Sequence, residues 1–392
     1  MMKRFIRVVM LLCVVAILLG VLSLKTIGAK AATASGNLSS ATACGKWSVV
    51  PSPNASVSPD GLDAVAAVSN SNIWAVGGSG SQASGGQTLI EHWNGAQWQI
   101  VTSPSPGTDY NVLTGVVAIS ASNVWAVGWQ GNLGIAGTLI EHWNGTQWSV
   151  VKSPNPASGG DELYSVSAVS ATNIWAAGFM EKNTVNGPVG QTLVEHWNGT
   201  QWSVVKSLNL GSQANFSGVA AVSANDVWAV GFYANSKGIW LALTEHWNGA
   251  QWSIVKSPSP GLQINYLYSV TAVSANDVWA VGYADSQTLT EQWNGTHWSV
   301  VTSSGPGTVS NLLIGVAAAS ASSIWTVGSS EDSNFVFHTL TEQWNGTHWS
   351  VVTSPDPGSL FNQLLGVAAI SPTNVWAVGH ADSNTLIEHY HC

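Results

Sequence analysis

Two stretches decide the fold: VAAVSANDVWAVG at residues 219–231 and LTEHWNGAQWSIVKSP at residues 243–258. The first reads as two apolar strands around a turn holding Ser223 and Asp226. The second reads as two more around Asn248-Gly249. The same unit recurs along the chain, its first tryptophan falling at Trp74, Trp125, Trp175, Trp228, Trp279, Trp325 and Trp376, 46 to 53 residues apart. A period near 50 built only of strand-like segments predicts an all-β, seven-bladed β-propeller with four-stranded antiparallel blades.

Each unit divides into strand a (Val219 to Val222 in one copy), strand b (V-W-A-V-G), strand c (T-L-I-E-H-W) and strand d (W-S-V-V). A Ser recurs in the a–b turn at 69, 120, 170, 223, 274, 320 and 371, where its hydroxyl can hold local backbone. Asn-Gly between c and d predicts a type I′ hairpin turn. At the ends the count is out of step. Trp47 opens a strand d that no strand c precedes, and Thr385 to Tyr390 is a strand c with no strand d after it. The N-terminal strand should therefore complete the last blade, leaving no blade with an unpaired edge. Counted from either side, Cys44 and Cys392 both fall in the Gly column of the missing W-N-G turn, which predicts a Cys44–Cys392 disulfide. Closing so long a loop contributes at most about 5–6 kcal/mol in the chain-entropy model.

Composition sets further bounds. Lys3, Arg4 and Arg7, an apolar run from Val8 to Leu24 and Ala29-Lys30-Ala31 read as a signal peptide over 1–31, with an uncleaved anchor as the alternative. Residues 32–43 read as a flexible leader, and 44–392 as the propeller. The processed chain keeps six lysines, no arginine and all twenty acids, a formal charge of −14. That balance repels phosphate backbones and anionic lipid heads, so nucleic acid is excluded as a partner and a membrane enters only through a retained anchor. The predicted location is secreted or cell-surface.

The order Ile73-Trp74-Ala75-Val76-Gly77-Gly78, then Trp93-Asn94-Gly95, Trp98 and Pro104 resembles the kelch repeat, and also the Trp-rich propeller repeats of exported bacterial proteins. The resemblance covers about residues 44–392. Gly-Gly appears only in the first copy, and the aromatic-to-Trp spacing is shorter than in kelch. Kelch-like propellers include binding modules and oxidases, so the resemblance implies the fold and no single activity.

Glu-His pairs recur at 91–92, 141–142, 195–196, 245–246 and 388–389, with Gln292 and Gln343 replacing His in two copies. Neighbours on a strand face opposite ways, so such a pair cannot act as one acid–base unit and reads as blade structure. The strand-a runs hold no Asp, Glu, His, Lys or Arg, which predicts a channel without catalytic groups. Arginine and the Ser-x-Asp-x-Gly box of sialidase-like propellers are missing. With both cysteines assigned to closure, a thioether copper site has no Cys, and no cofactor or metal site is predicted. The Ala-Asp-Ser runs at Asp285 and Asp382 read as turns.

Only the d–a and b–c connections vary between copies, and in an up-and-down blade they emerge on one face, where binding is expected. Aromatic residues gather there: Trp129, Phe179, Phe232, Tyr233, Trp240, Tyr266 and Tyr283 are the candidate ligand-binding residues. The predicted function is a binding or scaffold propeller for an extracellular glycan or protein. The alternatives are a polysaccharide hydrolase or lyase using loop acids such as Asp109, Asp161, Glu162, Glu181 or Asp285, and a purely structural surface protein.

Overall fold

The computed structural model describes residues 45–392 except 56–57, 81–84, 133–134 and 212. The predicted signal peptide, the leader and Cys44 lie outside the described residues. From Gly45 onward the chain forms seven four-stranded antiparallel blades. Blade 4 is representative: Gln213–Ser223, Asp226–Ala234, Trp240–Trp247 and Trp252–Ile254 are its strands a to d. Blades 3 and 4 are joined by a single parallel bridge between Gly190 and Gln213. Among the described residues no helix is long and apolar enough to cross a membrane.

The last blade closes as the strand count requires. Asn362–Ser371, Asn374–Ala381 and Asn384–His391 are joined by Lys46–Val49 from the other end of the chain. Trp47 pairs with Tyr390 in the register that Trp93 and Trp98 hold in blade 1. The Gly45 N–H donates to the His391 carbonyl at 3.1 Å.

Every seam between blades is built from the repeated tryptophans. The strand-b Trp of one blade meets the strand-d Trp of the next edge-to-face, with centroids 5.3 to 5.7 Å apart in all seven seams. Trp325 against Trp47 is one of these, so the N-terminal strand supplies the same contact as any other strand d. Such pairs contribute about 0.5–1.5 kcal/mol each beyond their buried area. At the innermost strands, glycine permits close approach. A Cβ on Gly366 would lie 2.8 Å from Ala64 Cα, where blade 7 meets blade 1, and one on Gly218 would lie 3.1 Å from Ser269 Cα.

Two sequence expectations are corrected. The six Asn-Gly turns are not type I′, because only their glycines take positive φ, from +92° to +97°. Four residues separate the paired tryptophans, so Asn94 keeps an ordinary φ and its Oδ1 accepts the N–H groups of Ala96 and Gln97 instead. Strand a also begins earlier than its apolar run. Asp60–Ser69 and Gly160–Ser170 carry Asp60, Asp63, Asp161 and Glu162 on the innermost strand, so that strand is not free of acids.

Candidate binding face

The two faces of the disc are made by different rules. On the a–b and c–d side the blades share one design: in six of them the turn Ser accepts the N–H two residues on, and in four the strand-c Trp donates to a turn carbonyl, as Trp247 does to Ala224 at 3.2 Å. The d–a and b–c side has one shared device, which nothing in the sequence reading anticipated. An Asn two residues before the inner-strand Leu folds the d–a loop onto itself. Asn265 accepts from Gly261 N–H at 2.6 Å and donates to the carbonyls of Gly261 and Trp240. Asn111 and Asn362 do the same in their blades, while Asp161 accepts from Ala157 N–H. The recurrent N-x-L spacing was the available signal.

The Glu-His pairs point to separate partners. The histidines lie against the strand-b tryptophans and reach the a–b turn, as His142 Nε2 does to Asn123 Oδ1 at 2.9 Å and His246 to Asp226 at 2.8 Å. The glutamates face the seam and are wholly buried in all seven blades. Serines leaving strand d of the preceding blade reach some of them: Ser52 to Glu91 at 2.9 Å, Ser153 to Glu195 at 2.7 Å, and Ser257 to Glu291 at 2.5 Å. Ser52 also bonds Thr385 of its own blade at 2.8 Å and so straps blade 7 to blade 1. Burial lifts Glu245 to about 7, Glu388 to about 9 and the other five to about 8, so most of these carboxyls carry their proton at neutral pH.

The predicted aromatic residues split into two groups. Phe232 and Tyr266 are each 4% exposed and pack on one another across the blade 4–5 seam, with centroids 4.0 Å apart. Trp240 stands edge-on to both, at 5.5 and 5.8 Å. Trp129 stacks on Tyr110 at 5.0 Å, and Tyr233 packs against the core that joins blades 3 and 4. Trp129, Phe179, Tyr233, Trp240 and Tyr283 stay half-buried. At several of its positions the column after the strand-b Gly faces the next blade's inner strand: Gly78 lies against Val112, Phe232 against Tyr266, and Ser329 accepts from Gln363 at 3.0 Å. His380, 3% exposed, lies against Gly61, and burial lowers its pKa to about 4.

The acids considered for catalysis are mostly engaged. Asp161 and Glu162 lie in an inner strand rather than a loop, and Tyr164 Oη donates to Glu162 Oε2 at 2.6 Å. Asp285 accepts backbone N–H groups from Leu262, Gln263 and Ile264, and Asp382 binds Ser359, Leu360 and Phe361 in the same way. Both are turn residues with positive φ. Asp63 is half-buried, and desolvation lifts its carboxyl to about 7. Among the described residues no group of three His, Cys, Asp or Glu side chains is placed to hold a metal ion.

Several apolar, chiefly aliphatic side chains also stand exposed on this face. Leu262 is 81% exposed, Phe335 70% and Leu360 54%, with Ile135, Val185 and Val309 also open. All lie in or beside d–a or b–c connections.

No family model and no curated protein matches the sequence. Solved β-propellers do match the fold. YCF48 bound to D1 peptide aligns at 13% identity and TM-score 0.55 over 88% of this chain and 97% of its own. The RRP9 WD40 repeats align at 12% and 0.57 over 88% and 97%. The extracellular domain of the putative one component system BT4673 from B. thetaiotaomicron aligns at 8% and 0.53 over 87% of this chain and 39% of that one. At such identities the likeness shows the fold alone: this chain folds as a β-propeller, as these WD40 and other propeller structures do.

Proposed function

We propose that the chain is an exported, kelch-like binding or scaffold propeller that takes a protein segment on its d–a and b–c face. The observation that carries this reading is the exposure of Leu262, Phe335 and Leu360 on the diversified face of a rigid frame. A solved propeller with a bound peptide is a precedent for such a ligand on this fold. A glycan is the second reading. It needs open ring faces, and of the seven candidates Phe232 and Tyr266 are spent on each other, leaving Trp129, Phe179, Tyr233, Trp240 and Tyr283.

Export rests on the basic, apolar first 31 residues, with 32–43 as leader. The Cys44–Cys392 disulfide is supported by the hydrogen bond between Gly45 and His391, the immediate chain neighbours of the two cysteines. Peptide and glycan arrays probed with the same protein separate the two ligand classes. Protein or peptide capture that is lost in a Leu262→Ser, Phe335→Ser, Leu360→Ser variant supports the reading. Glycan capture that survives this variant and is lost with Trp240→Ala replaces it. Polysaccharide cleavage in place of binding would transfer the chain to the enzyme class.

A further inference from the structure

Charge is distributed unevenly around the disc. The last lysine in the sequence is Lys256, and residues 257–392 contain neither Lys nor Arg. The one basic side chain that returns to blade 7 is Lys46, which opens strand d at the a–b and c–d side. The variable-loop face of blades 5 to 7 therefore carries carboxylates with no lysine or arginine to balance them.

The loops at the apex of blade 6 hold apolar side chains out among these acids. The turn after strand b is built on Asp332, whose Oδ1 accepts the N–H groups of Asn334 and Val336 at 2.8 and 3.1 Å. This turn puts Phe335 at φ +61°, a conformation that bulky residues rarely adopt, and leaves it 70% exposed. Leu360, from the next d–a loop, is tied in beside it: its carbonyl accepts from Phe337 N–H at 2.8 Å, and Phe337 stacks on Phe361 with centroids 5.0 Å apart. Val309 joins from the preceding loop through its N–H to the Glu331 carbonyl at 3.0 Å. His338 bridges two of the acids, at 2.9 Å from Asp356 and 3.5 Å from Asp332.

One of these charges is not needed for the backbone bond it makes. Asp356 accepts the Thr339 N–H at 2.7 Å, a bond that Asn54, Asn155 and Asn209 make to Thr385, Thr138 and Thr192 in other blades. A neutral amide meets the Thr339 contact in those blades, so the carboxylate adds a charge there, shared with His338.

We propose that the apex of blade 6, where Phe335, Leu360 and Val309 stand beside Glu331, Asp332 and Asp356, docks a peptide segment that combines apolar side chains with lysine or arginine. This rests on the variable-face reading above and narrows it to one sector and one partner chemistry. Apolar contact supplies the affinity, and the carboxylates, bridged by His338 but offset by no lysine or arginine of these blades, select the sign of the partner.

The test uses the full chain and three labelled synthetic peptides of equal length, alternating Lys with Leu, Glu with Leu, and Lys with Ser, read by fluorescence anisotropy at low and physiological salt. The Lys-Leu peptide is expected to bind best. Phe335→Ser with Leu360→Ser should weaken it about tenfold or more. Glu331→Gln with Asp356→Asn, which leaves the Asp332 turn intact, should weaken it about three- to tenfold and flatten its salt dependence. Equal binding of the Glu-Leu peptide overturns the proposal, as does the absence of binding by any of the three. Concentration-dependent self-association abolished by Phe335→Ser overturns it in favour of a second copy. If Ile135→Ser with Val185→Ser removes binding while the blade 6 variants do not, this proposal falls and the variable-face reading stands. If neither pair matters, both fall.

Discussion

Trp228 and Phe335 are both large aromatic residues, yet they live under opposite constraints. Trp228 is 1% exposed in the seam between blades 4 and 5, with Trp298 at 5.3 Å, Trp293 at 4.8 Å and His246 at 4.5 Å around it. Phe335 is 70% exposed on a turn that blade 4 repeats at Asn235–Ile239 with Gly238 in its place. Trp228 has a counterpart in every blade, because each seam poses the same packing problem and receives the same answer. The aromatic ring of Phe335 is not repeated, because the turn needs only the backbone shape that Gly238 supplies in blade 4. Repetition in this chain marks what holds the blades together, and departure from repetition marks where the surface is free to recognise something.

Substitutions should widen that contrast. The largest effect is expected in the seams: Trp228→Ala should cost about 3–5 kcal/mol in chemical denaturation, since it empties a packed site between two blades. Trp47→Ala should fall in the same range despite its place near the end of the described chain, because it makes the same edge-to-face contact with Trp325. A loss under about 1 kcal/mol at Trp47 would mean that the closing blade contributes less than the others.

Hydrogen bonding within the seams should give intermediate effects. Ser52→Ala removes the donor to Glu91 and the link to Thr385, and about 1–3 kcal/mol of stability should go with it. The seven seam glutamates also set a pH dependence. Their folded pKa values lie above the ordinary 4.5, so folding takes up protons, and their contribution is complete near pH 4.5 and is lost as pH rises toward about 8. Thermal unfolding measured across that window should show stability falling with pH. Glu141→Gln should make the slope shallower by up to about 1.4 kcal/mol per pH unit. A rise in stability over the same window would show that these carboxyls are ionised in the fold. Phe335→Ser should give the smallest stability change, within about 0.5 kcal/mol, while altering binding.

The blades and their closure were legible because period-50 repetition and the out-of-step ends leave one way to pair every strand. The Glu-His pairs were legible as structure from strand alternation alone. Other features were not. The inner strands begin before their apolar run because Asp161 and the equivalent asparagines bond the loop that precedes them, and a polarity pattern places that boundary too late. The Asn-Gly turns looked like two-residue hairpins until the Trp93–Trp98 pairing showed four residues between the partners. The aromatic column suggested a ligand platform, but Phe232 meets Tyr266 across a seam, a contact between residues 34 positions apart in the chain.

The order of residues alone determined a seven-bladed ring joined through its own first strand, an acidic composition without arginine beyond residue 31, and one uniform and one variable face. Those properties follow from repetition and composition, which need no coordinates. Which aromatic rings are covered, which carboxyls are buried with their protons, and where Phe335 and Leu360 come together were decided by the tertiary structure. Each depends on what a neighbouring blade presents across the seam or along the rim, and spacing within a single repeat carries no record of that.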